Sequence, residues 1–172
     1  WAVGESALDP RATSRVGATG LWQFMFATGK QYGLEVSSYV DERCDPLRST
    51  NAAAKYLASL YKTFGDWDLA LAAYNSGPGN VTKAIRRSGG YQNYWYIRPF
   101  LPSETAGYLP AFLATFYLFE YADAHGFQLE KNQLPIIATD TIHIKQMISL
   151  DQVAELTDTK IETLQHLNPS YK

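Results

Sequence analysis

Cysteine, histidine and long apolar runs are scarce in this chain, and each scarcity excludes a class of protein. Cys44 is the only cysteine among 172 residues, so no internal disulfide can form, and we expect it to be a buried, small apolar side chain. No apolar run approaches the roughly 20 residues that a membrane-spanning helix needs. His125, His143 and His166 stand at none of the spacings typical of a metal site. The sequence therefore predicts a globular protein without a disulfide framework.

Signatures of several enzyme classes are missing as well. No Gly-x-Ser-x-Gly motif is present, which excludes the serine hydrolases that use that turn. The Gly-Pro-Gly run at 77–79 is too short for a phosphate-binding loop and follows no predicted strand. The formal net charge of −2 argues against nucleic acid as the main partner, and a polyanionic partner could bind only at a local site.

Apolar and aromatic residues, in contrast, are plentiful. Hydrophobic residues make up 46% of the chain, and its 12 tyrosines, 8 phenylalanines and 4 tryptophans carry ring faces that pack in a core or against sugar rings. We interpret most of these rings as core. A chain of 172 residues is long enough for one domain of ordinary size and a small appendix.

The spacing of the apolar residues predicts mainly helices. A helix with Ser49 as its N-cap is predicted to run to about residue 63, and one face of it is apolar. That face consists of Ala53, Tyr56, Leu57, Leu60 and Tyr61. A short helix is predicted over 27–32 and two further helices over 66–73 and 78–87, followed by an aromatic loop over 91–101.

Two prolines are predicted to interrupt helices. Pro10 closes the helix of residues 1–9, because proline lacks the amide hydrogen that a helix interior needs. Pro110 is predicted to split the helix that begins at Ser103. The stretch 110–124 that follows is apolar on nearly all sides, which is typical of a buried central helix.

Glu5 is a carboxylic acid in an apolar neighbourhood, with Trp1, Ala2 and Val3 before it. Burial among apolar side chains penalises the anion, so we expect the pKa of Glu5 to be raised. A general acid for glycoside cleavage requires such a pKa. A single carboxylate near a helix end is more often a solvated or capping group, so it is the sequence around Glu5 that favours catalysis.

That surrounding sequence is a long motif. Residues 5–23 read Glu-Ser-x-x-x-Pro-x-Ala-x-Ser-x-x-Gly-Ala-x-Gly-Leu-Trp-Gln, and two blocks follow, Ala-Ala-Tyr-Asn-Ser-Gly at 72–77 and Glu-Thr-Ala-Gly-Tyr at 104–108. In this order the three blocks resemble the signature of the lytic transglycosylases, in the goose-type branch of the lysozyme superfamily. The resemblance extends over residues 1–125 and implies a lysozyme-like, all-helical domain.

The resemblance also implies roles for single residues. Glu5 would protonate the glycosidic oxygen and then, as a carboxylate, take a proton from the sugar's own 6-hydroxyl, while the substrate's N-acetyl oxygen supports the cationic centre. The other matched positions would contact the substrate or surround the acid. These are Ser14, Gln23, Tyr74, Asn75, Glu104 and Tyr108. No cofactor and no metal is implied.

Most of these residues also have a structural alternative. Ser14 suits a turn, and Gln23 suits an amide that ties its loop to the backbone. Tyr74 and Asn75 suit a core ring and a helix end. Glu104 lies at a predicted helix start, where the helix dipole favours a carboxylate in any case.

The C-terminal residues differ in composition from the rest. The predicted elements are strands at 136–138 and 141–144 and helices at 150–156 and 161–167. With the Leu-Asn-Pro run at 167–169 they partially resemble a LysM module, a peptidoglycan-binding unit, although the usual Gly-Asp turn before the first helix is absent and the chain ends before the strand that would follow the second helix. We therefore expect a catalytic domain over 1–130, with its N-terminal helix truncated, and a LysM-like segment over 135–172. The alternative is an extension packed on the helical domain.

The resemblance as a whole implies a mainly α, lysozyme-like enzyme of the periplasm or cell envelope. It would cleave the bond between N-acetylmuramic acid and N-acetylglucosamine in peptidoglycan glycan strands without water, leaving a 1,6-anhydromuramyl end. Two alternatives stay open: a hydrolytic muramidase of the same fold, and a peptidoglycan-binding module with weak or lost catalysis. Membrane association is expected only through a segment that precedes residue 1.

Overall fold

Nine α-helices form the described part of the chain, residues 2–127 and 139–172 of a computed structural model. In chain order they are α1 (Ala2–Ser6), α2 (Phe26–Gln31), α3 (Pro46–Phe64), α4 (Trp67–Ser76), α5 (Pro78–Arg87), α6 (Tyr94–Ile97), α7 (Ser103–Glu120), α8 (Leu150–Thr157) and α9 (Ile161–Leu167). Two short 3₁₀ helices, Arg98–Phe100 and Asp123–His125, follow α6 and α7. In these ranges, extended pairing is limited to isolated β-bridges. The predicted mainly α fold is confirmed.

Helix α4 lies at the centre of the core. Its residues 69–73 are all buried, and α3, α5 and α7 pack around it. Alanines at three of those five positions let the neighbouring helices approach closely, and an apolar surface on all sides is what a central helix requires. Tyr94 and Ile97 of α6 and Leu109 of α7 complete the same cluster.

Helix α3 begins earlier than predicted. Asp45 is its N-cap and accepts hydrogen bonds from the amides of Leu47 and Arg48, while Pro46 occupies the first turn, where no amide hydrogen is needed. Ser49 lies one turn inside the helix, and its hydroxyl donates to the Asp45 carbonyl. The prediction of Ser49 as N-cap is wrong because the Asp-Pro pair supplies the start signal four residues earlier.

Helix α4 extends beyond its predicted end at residue 73. It continues to Ser76 and stops at Gly77, whose φ of +85° is readily adopted only by a residue without a side chain. Tyr74 and Asn75 therefore lie on a rigid helix instead of in the predicted break. The next helix, α5, has the predicted bounds, and α6 occupies part of the predicted aromatic loop.

Helix α7 continues through Pro110 without the predicted split. Proline has no amide hydrogen for the carbonyl of Ala106, one turn earlier. That carbonyl instead accepts from the Tyr94 hydroxyl at 2.9 Å and from Arg98 Nε at 2.8 Å. The prediction fails because side chains from a neighbouring segment replace the missing helical hydrogen bond.

The predicted buried helix over 110–124 is also wrong. Only Thr105 and Leu109 are buried among the described residues of α7, which ends at Glu120. Large apolar side chains near its C-terminal end are exposed, among them Leu113, Phe116, Tyr117, Leu118 and Phe119. An apolar surface on all sides makes a helix suitable for burial, but burial also requires another element that covers this surface.

The C-terminal segment contains the two predicted helices as α8 and α9. The strand predicted at 141–144 is wrong, since these residues are irregular, and the strand predicted at 136–138 lies outside the described residues. Beyond α9 the chain runs along the loop of residues 36–43. The amide of Asp41 donates to the Ser170 carbonyl at 2.7 Å, and the amide of Lys172 donates to the Tyr39 carbonyl at 3.1 Å. Across 2–127 and 139–172, no helix has both the length and the apolarity to cross a bilayer.

Candidate active site

Glu5 lies in the last turn of α1 and is half-buried. Its carboxylate oxygen Oε1 accepts a hydrogen bond from the hydroxyl of Tyr108, which lies on α7. The next residue, Ser6, donates from its hydroxyl to the carbonyl of Leu21 at 2.9 Å. The short helix that carries Glu5 is thus fastened on one side to α7 and on the other to the loop that contains Leu21.

Two tyrosines surround the acid. The hydroxyl of Tyr74 donates to the carbonyl of Trp22 at 2.9 Å. Burial, and then the negative charge of Glu5, raise the pKa of Tyr74 and of Tyr108, so both hydroxyls stay protonated and act as donors. Because the charge of Glu5 acts on both tyrosines, these three predicted site residues lie close to one another.

The loop of residues 17–24, the motif loop, is closed by paired backbone hydrogen bonds. The amide of Thr19 donates to the carbonyl of Phe24 at 3.0 Å, and the amide of Phe24 donates back at 3.0 Å. Gln23 has a φ of +48°, and its Nε2 donates to the carbonyls of Ala12 at 3.1 Å and Gly20 at 2.9 Å. The nitrogen of this amide therefore ties the loop together, which is the structural alternative that the sequence left open.

The remaining predicted residues lie around this centre. Ser14 forms a turn, since its hydroxyl accepts from the amide of Ala18 at 3.0 Å. Asn75 accepts from the Thr105 hydroxyl through Oδ1 at 2.8 Å, which links α4 to the residue after Glu104. Glu104 itself is exposed in the first turn of α7. The structure thus brings Glu5, Tyr74 and Tyr108 into one group and places the others on the elements next to it.

A buried ion pair under the motif loop was not found by sequence reasoning. Asp41 and Arg43 are each less than a tenth exposed, and the guanidinium meets the carboxylate at 2.9 Å through Nε and at 2.7 Å through Nη2. Burial alone would raise the pKa of Asp41, but the hydrogen bonds and charge of Arg43 outweigh it and hold that pKa below its ordinary value. In the sequence these two residues belong to a charge-rich loop. Because such loops are usually solvated, the pattern did not indicate a buried ion pair.

The motif loop requires a glycine at position 20. The φ of Gly20 is +88°, and a Cβ built there would lie 1.8 Å from the carbonyl oxygen of Arg43. No side chain fits at that distance, so the loop and the segment of the ion pair are in direct backbone contact.

Two cavities of about 440 and 350 Å³ lie beside the C-terminal segment, and Glu5 lines neither of them. Arg11 and Pro169 border both of them. Glu5, by contrast, lies among helices and loops that leave it half-exposed. In the part of the chain that the structure describes, no group of three His, Cys, Asp or Glu side chains could hold a metal ion.

Comparison with known proteins identifies both parts of the chain. Residues 2–97 match the family model of the transglycosylase SLT domain, and residues 138–172 match that of the lytic transglycosylase MltD, LysM-like domain. The chain is 36% identical over 174 aligned residues to the membrane-bound lytic murein transglycosylase D of Escherichia coli (strain K12), an alignment that covers 99% of this chain and 38% of that protein. It therefore spans about two fifths of the length of this relative.

Solved structures agree with this result. The 70 kDa soluble lytic transglycosylase of Escherichia coli has a TM-score of 0.56 and 33% sequence identity, over 69% of this chain and 21% of that one. The lytic transglycosylase Slt of Pseudomonas aeruginosa, in an inactive mutant form, has a TM-score of 0.56 and 27% identity, over 74% of this chain and 21% of that one. With the SLT model matched over more than half of its residues, the chain belongs to the lytic murein transglycosylase family with an SLT domain.

Proposed function

We propose that this chain cleaves the β-1,4 bond between N-acetylmuramic acid and N-acetylglucosamine in peptidoglycan without water, and that its product ends in 1,6-anhydromuramic acid. The relatives above are named as lytic transglycosylases, and the membrane-bound one as a murein transglycosylase. The observation that carries the proposal is the position of Glu5, half-buried beside two half-buried tyrosines, with the Tyr108 hydroxyl donating to its carboxylate.

One carboxyl group serves as acid and then as base in this mechanism. Because Tyr108 donates to Oε1, the proton that Glu5 delivers to the glycosidic oxygen belongs on Oε2. The C1–O bond then breaks, and the N-acetyl oxygen of the sugar supports the positive centre. The Glu5 carboxylate takes the proton of the sugar's 6-hydroxyl, whose oxygen bonds to C1, so the acid is regenerated and no water is consumed.

The neighbouring residues would hold the glycan strand. The Nε2 of Gln23 is engaged within the loop, so we assign its carbonyl oxygen to accept from a sugar hydroxyl or amide. Asn75, Glu104 and Ser14 stand on the adjoining elements and would orient the sugars, while Tyr74 and Tyr108 orient the acid. The LysM-like match supports a peptidoglycan-binding role for the C-terminal segment, and the cell envelope is the location that such a substrate requires.

The test compares Glu5→Gln with Glu104→Gln on purified cell wall. The amide keeps the size of Glu5 but delivers no proton, so we expect release of muropeptides to fall about 10⁴-fold or more, while folding by circular dichroism is unchanged. Glu104→Gln should retain much more activity. Mass spectrometry identifies the mechanism, since a hydrolytic muramidase gives products heavier by one water.

Two outcomes would reject parts of this proposal. A well-folded Glu5→Gln with activity near that of the wild-type chain, beside an inactive Glu104→Gln, would move the acid to the third motif block. No cleavage by the wild-type chain on any cell-wall substrate would favour the binding-module alternative.

A further inference from the structure

We propose that Arg43 is a positioning residue for the candidate active site, held in place by Asp41 and acting through the motif loop. The proposal rests on the proposed function for its kinetic readout. Arg43 does not touch the acid. It fixes the loop to which both the helix of Glu5 and the side chain of Tyr74 are attached.

The guanidinium of Arg43 binds the motif loop at both of its ends. Nη1 donates to the carbonyl of Gly17 at 3.1 Å and to the carbonyl of Phe24 at 3.1 Å, while Nε and Nη2 hold the Asp41 carboxylate. Five donors in a rigid plane allow one side chain to hold both carbonyls and the carboxylate, which an ammonium group cannot do with the same geometry.

The loop in turn holds the acid and the tyrosine beside it. The carbonyl of Leu21 accepts from Ser6, the residue after Glu5, and the carbonyl of Trp22 accepts from the Tyr74 hydroxyl. The ring of Phe24 also packs edge-on against the ring of Tyr74, with centroids 6.3 Å apart. These three connections come from residues 21–24, within the stretch whose end carbonyls Arg43 binds.

The segment of the ion pair is itself held in place. Its backbone contacts Gly20 so closely that no Cβ fits between them. The amide of Arg43 donates to Asp41 Oδ1 at 3.2 Å, and the amide of Asp41 donates to the Ser170 carbonyl at 2.7 Å. Backbone contact on one side and a guanidinium on the other restrict the conformation of the loop, and catalysis depends on geometry that is held in place in this way.

The test is Arg43→Lys in the full chain, with Arg48→Lys as the matched control. Arg48 stands five residues away in the same region, is largely exposed, and pairs with Glu42 at 3.0 Å without contacting the motif loop. Both changes keep the charge. On a soluble glycan-strand fragment, well below each variant's melting temperature, we expect kcat of Arg43→Lys to fall about 10- to 100-fold with KM nearly unchanged. Arg48→Lys should match the wild-type chain.

A second measurement does not require activity. In ¹H–¹⁵N spectra, Arg43→Lys should shift the amides of residues 21–24 and of Ser6, while Arg48→Lys leaves them in place. If Arg43→Lys fails to fold, Asp41→Asn serves instead, because it keeps the guanidinium but weakens its support, and the same shifts with a smaller loss of kcat are expected.

The outcomes separate this proposal from the proposed function. A wild-type chain that cleaves no glycan refutes the proposed function. In that case the amide shifts still show whether Arg43 positions the motif loop. A folded Arg43→Lys with wild-type kcat and unshifted loop amides overturns the positioning role. A lower melting temperature with unchanged kcat overturns it as well, since that result describes a purely structural ion pair.

Discussion

At the scale of single residues, Glu5 is subject to two opposing influences. Glu5 is half-buried, and burial in general penalises a carboxylate. The hydroxyl of Tyr108 donates to Oε1 and favours the carboxylate. In the proposed mechanism the same group gives a proton and then takes one back, so both of its forms are needed. The raised pKa predicted for Glu5 from the sequence stays a prediction.

Tyr108→Phe separates the two influences. It removes the donor but keeps the ring, so the carboxylate form loses a charge-assisted hydrogen bond of about 1.5–3 kcal/mol. We expect the alkaline limb of the kcat/KM profile to move to higher pH by about one to two units. NMR titration of the Glu5 side chain, in the wild-type chain and in the variant, measures the same change directly.

Tyr56→Phe is the matched control for this prediction. Its ring packs on that of Tyr74 with centroids 5.1 Å apart, but Glu5 is not among the groups that act on its hydroxyl. Its pH profile should coincide with that of the wild-type chain. Equal titration curves for Tyr108→Phe and the wild-type chain would show that the hydroxyl does not influence the acid.

Asp41 gives the stability of the protein a defined pH dependence. Since the pKa of Asp41 is lowered on folding, its ionisation stabilises the protein fully above the unfolded value of about 3.9 and loses that effect as pH falls through the folded value. Asp41→Asn should cost about 3–5 kcal/mol at neutral pH, because Arg43 is left buried without its partner. Below about pH 4 the difference should shrink.

Urea unfolding of the wild-type chain and the variant from pH 3 to pH 7 measures this gap. Asp66→Asn is the control, since Asp66 caps α4 by accepting from the amide of Leu69, and an amide side chain also serves as a cap. It should cost less than about 1 kcal/mol. A cost for Asp41→Asn that stays constant down to pH 3 would contradict the lowered pKa.

At the scale of helices, α7 shows how a proline is accommodated in the interior of a helix. The carbonyl of Ala106 has lost its helical donor at Pro110 and gained Tyr94 and Arg98 instead. Position 110 and Arg98 should therefore be energetically coupled, since an amide hydrogen at position 110 would compete for the same carbonyl.

A double-mutant cycle measures this coupling. In the wild-type background, Arg98→Met should cost about 1 kcal/mol, the net value of one hydrogen bond. In the Pro110→Ala background the cost should fall towards zero, because the new amide hydrogen takes over the Ala106 carbonyl. Arg86→Met, in the last turn of α5, is the control and should cost the same in both backgrounds. Equal costs for Arg98→Met in both backgrounds would contradict this account.

At the scale of the whole molecule, the C-terminal segment lies against the helical domain. Besides the backbone pairing at residues 39–41, Lys172 Nζ donates to the Ser37 carbonyl at 2.6 Å, and Arg11 donates to the Gln165 carbonyl at 3.0 Å. Packing on the helical domain and a LysM-like identity, which the sequence offered as alternatives, are therefore compatible. The division into a unit at 1–130 and one at 135–172 stays a proposal.

Deletion of residues 137–172 tests what the segment contributes. We expect weaker pull-down on insoluble peptidoglycan, with cleavage of soluble fragments largely retained, because no residue of the acid's surroundings is removed. The melting temperature should also fall, since the hydrogen bonds to the loop of residues 36–43 are lost. Full-length Glu5→Gln is the control and should bind as the wild-type chain does. Equal binding by the truncated chain would refute a binding role for the segment.

The sequence by itself determined the helical class, the order of the motif blocks and the identity of the candidate acid. The bounds of α5 and, to within one residue, the start of α4 were predicted correctly, because caps and turns are local properties of the chain. The three blocks pointed to Glu5 because their residue types and spacing together resemble the signature of one family.

Only the tertiary structure decided which of these residues meet. Tyr108 donates to Glu5 across 103 positions, and Arg43 holds two carbonyls of the motif loop. Both contacts follow from the packing of distant segments, which no local pattern encodes. The same holds for Pro110, whose helix continues because Tyr94 and Arg98 supply donors from elsewhere. Local sequence fixes what a segment can form, whereas the contacts between segments decide what each polar group is paired with.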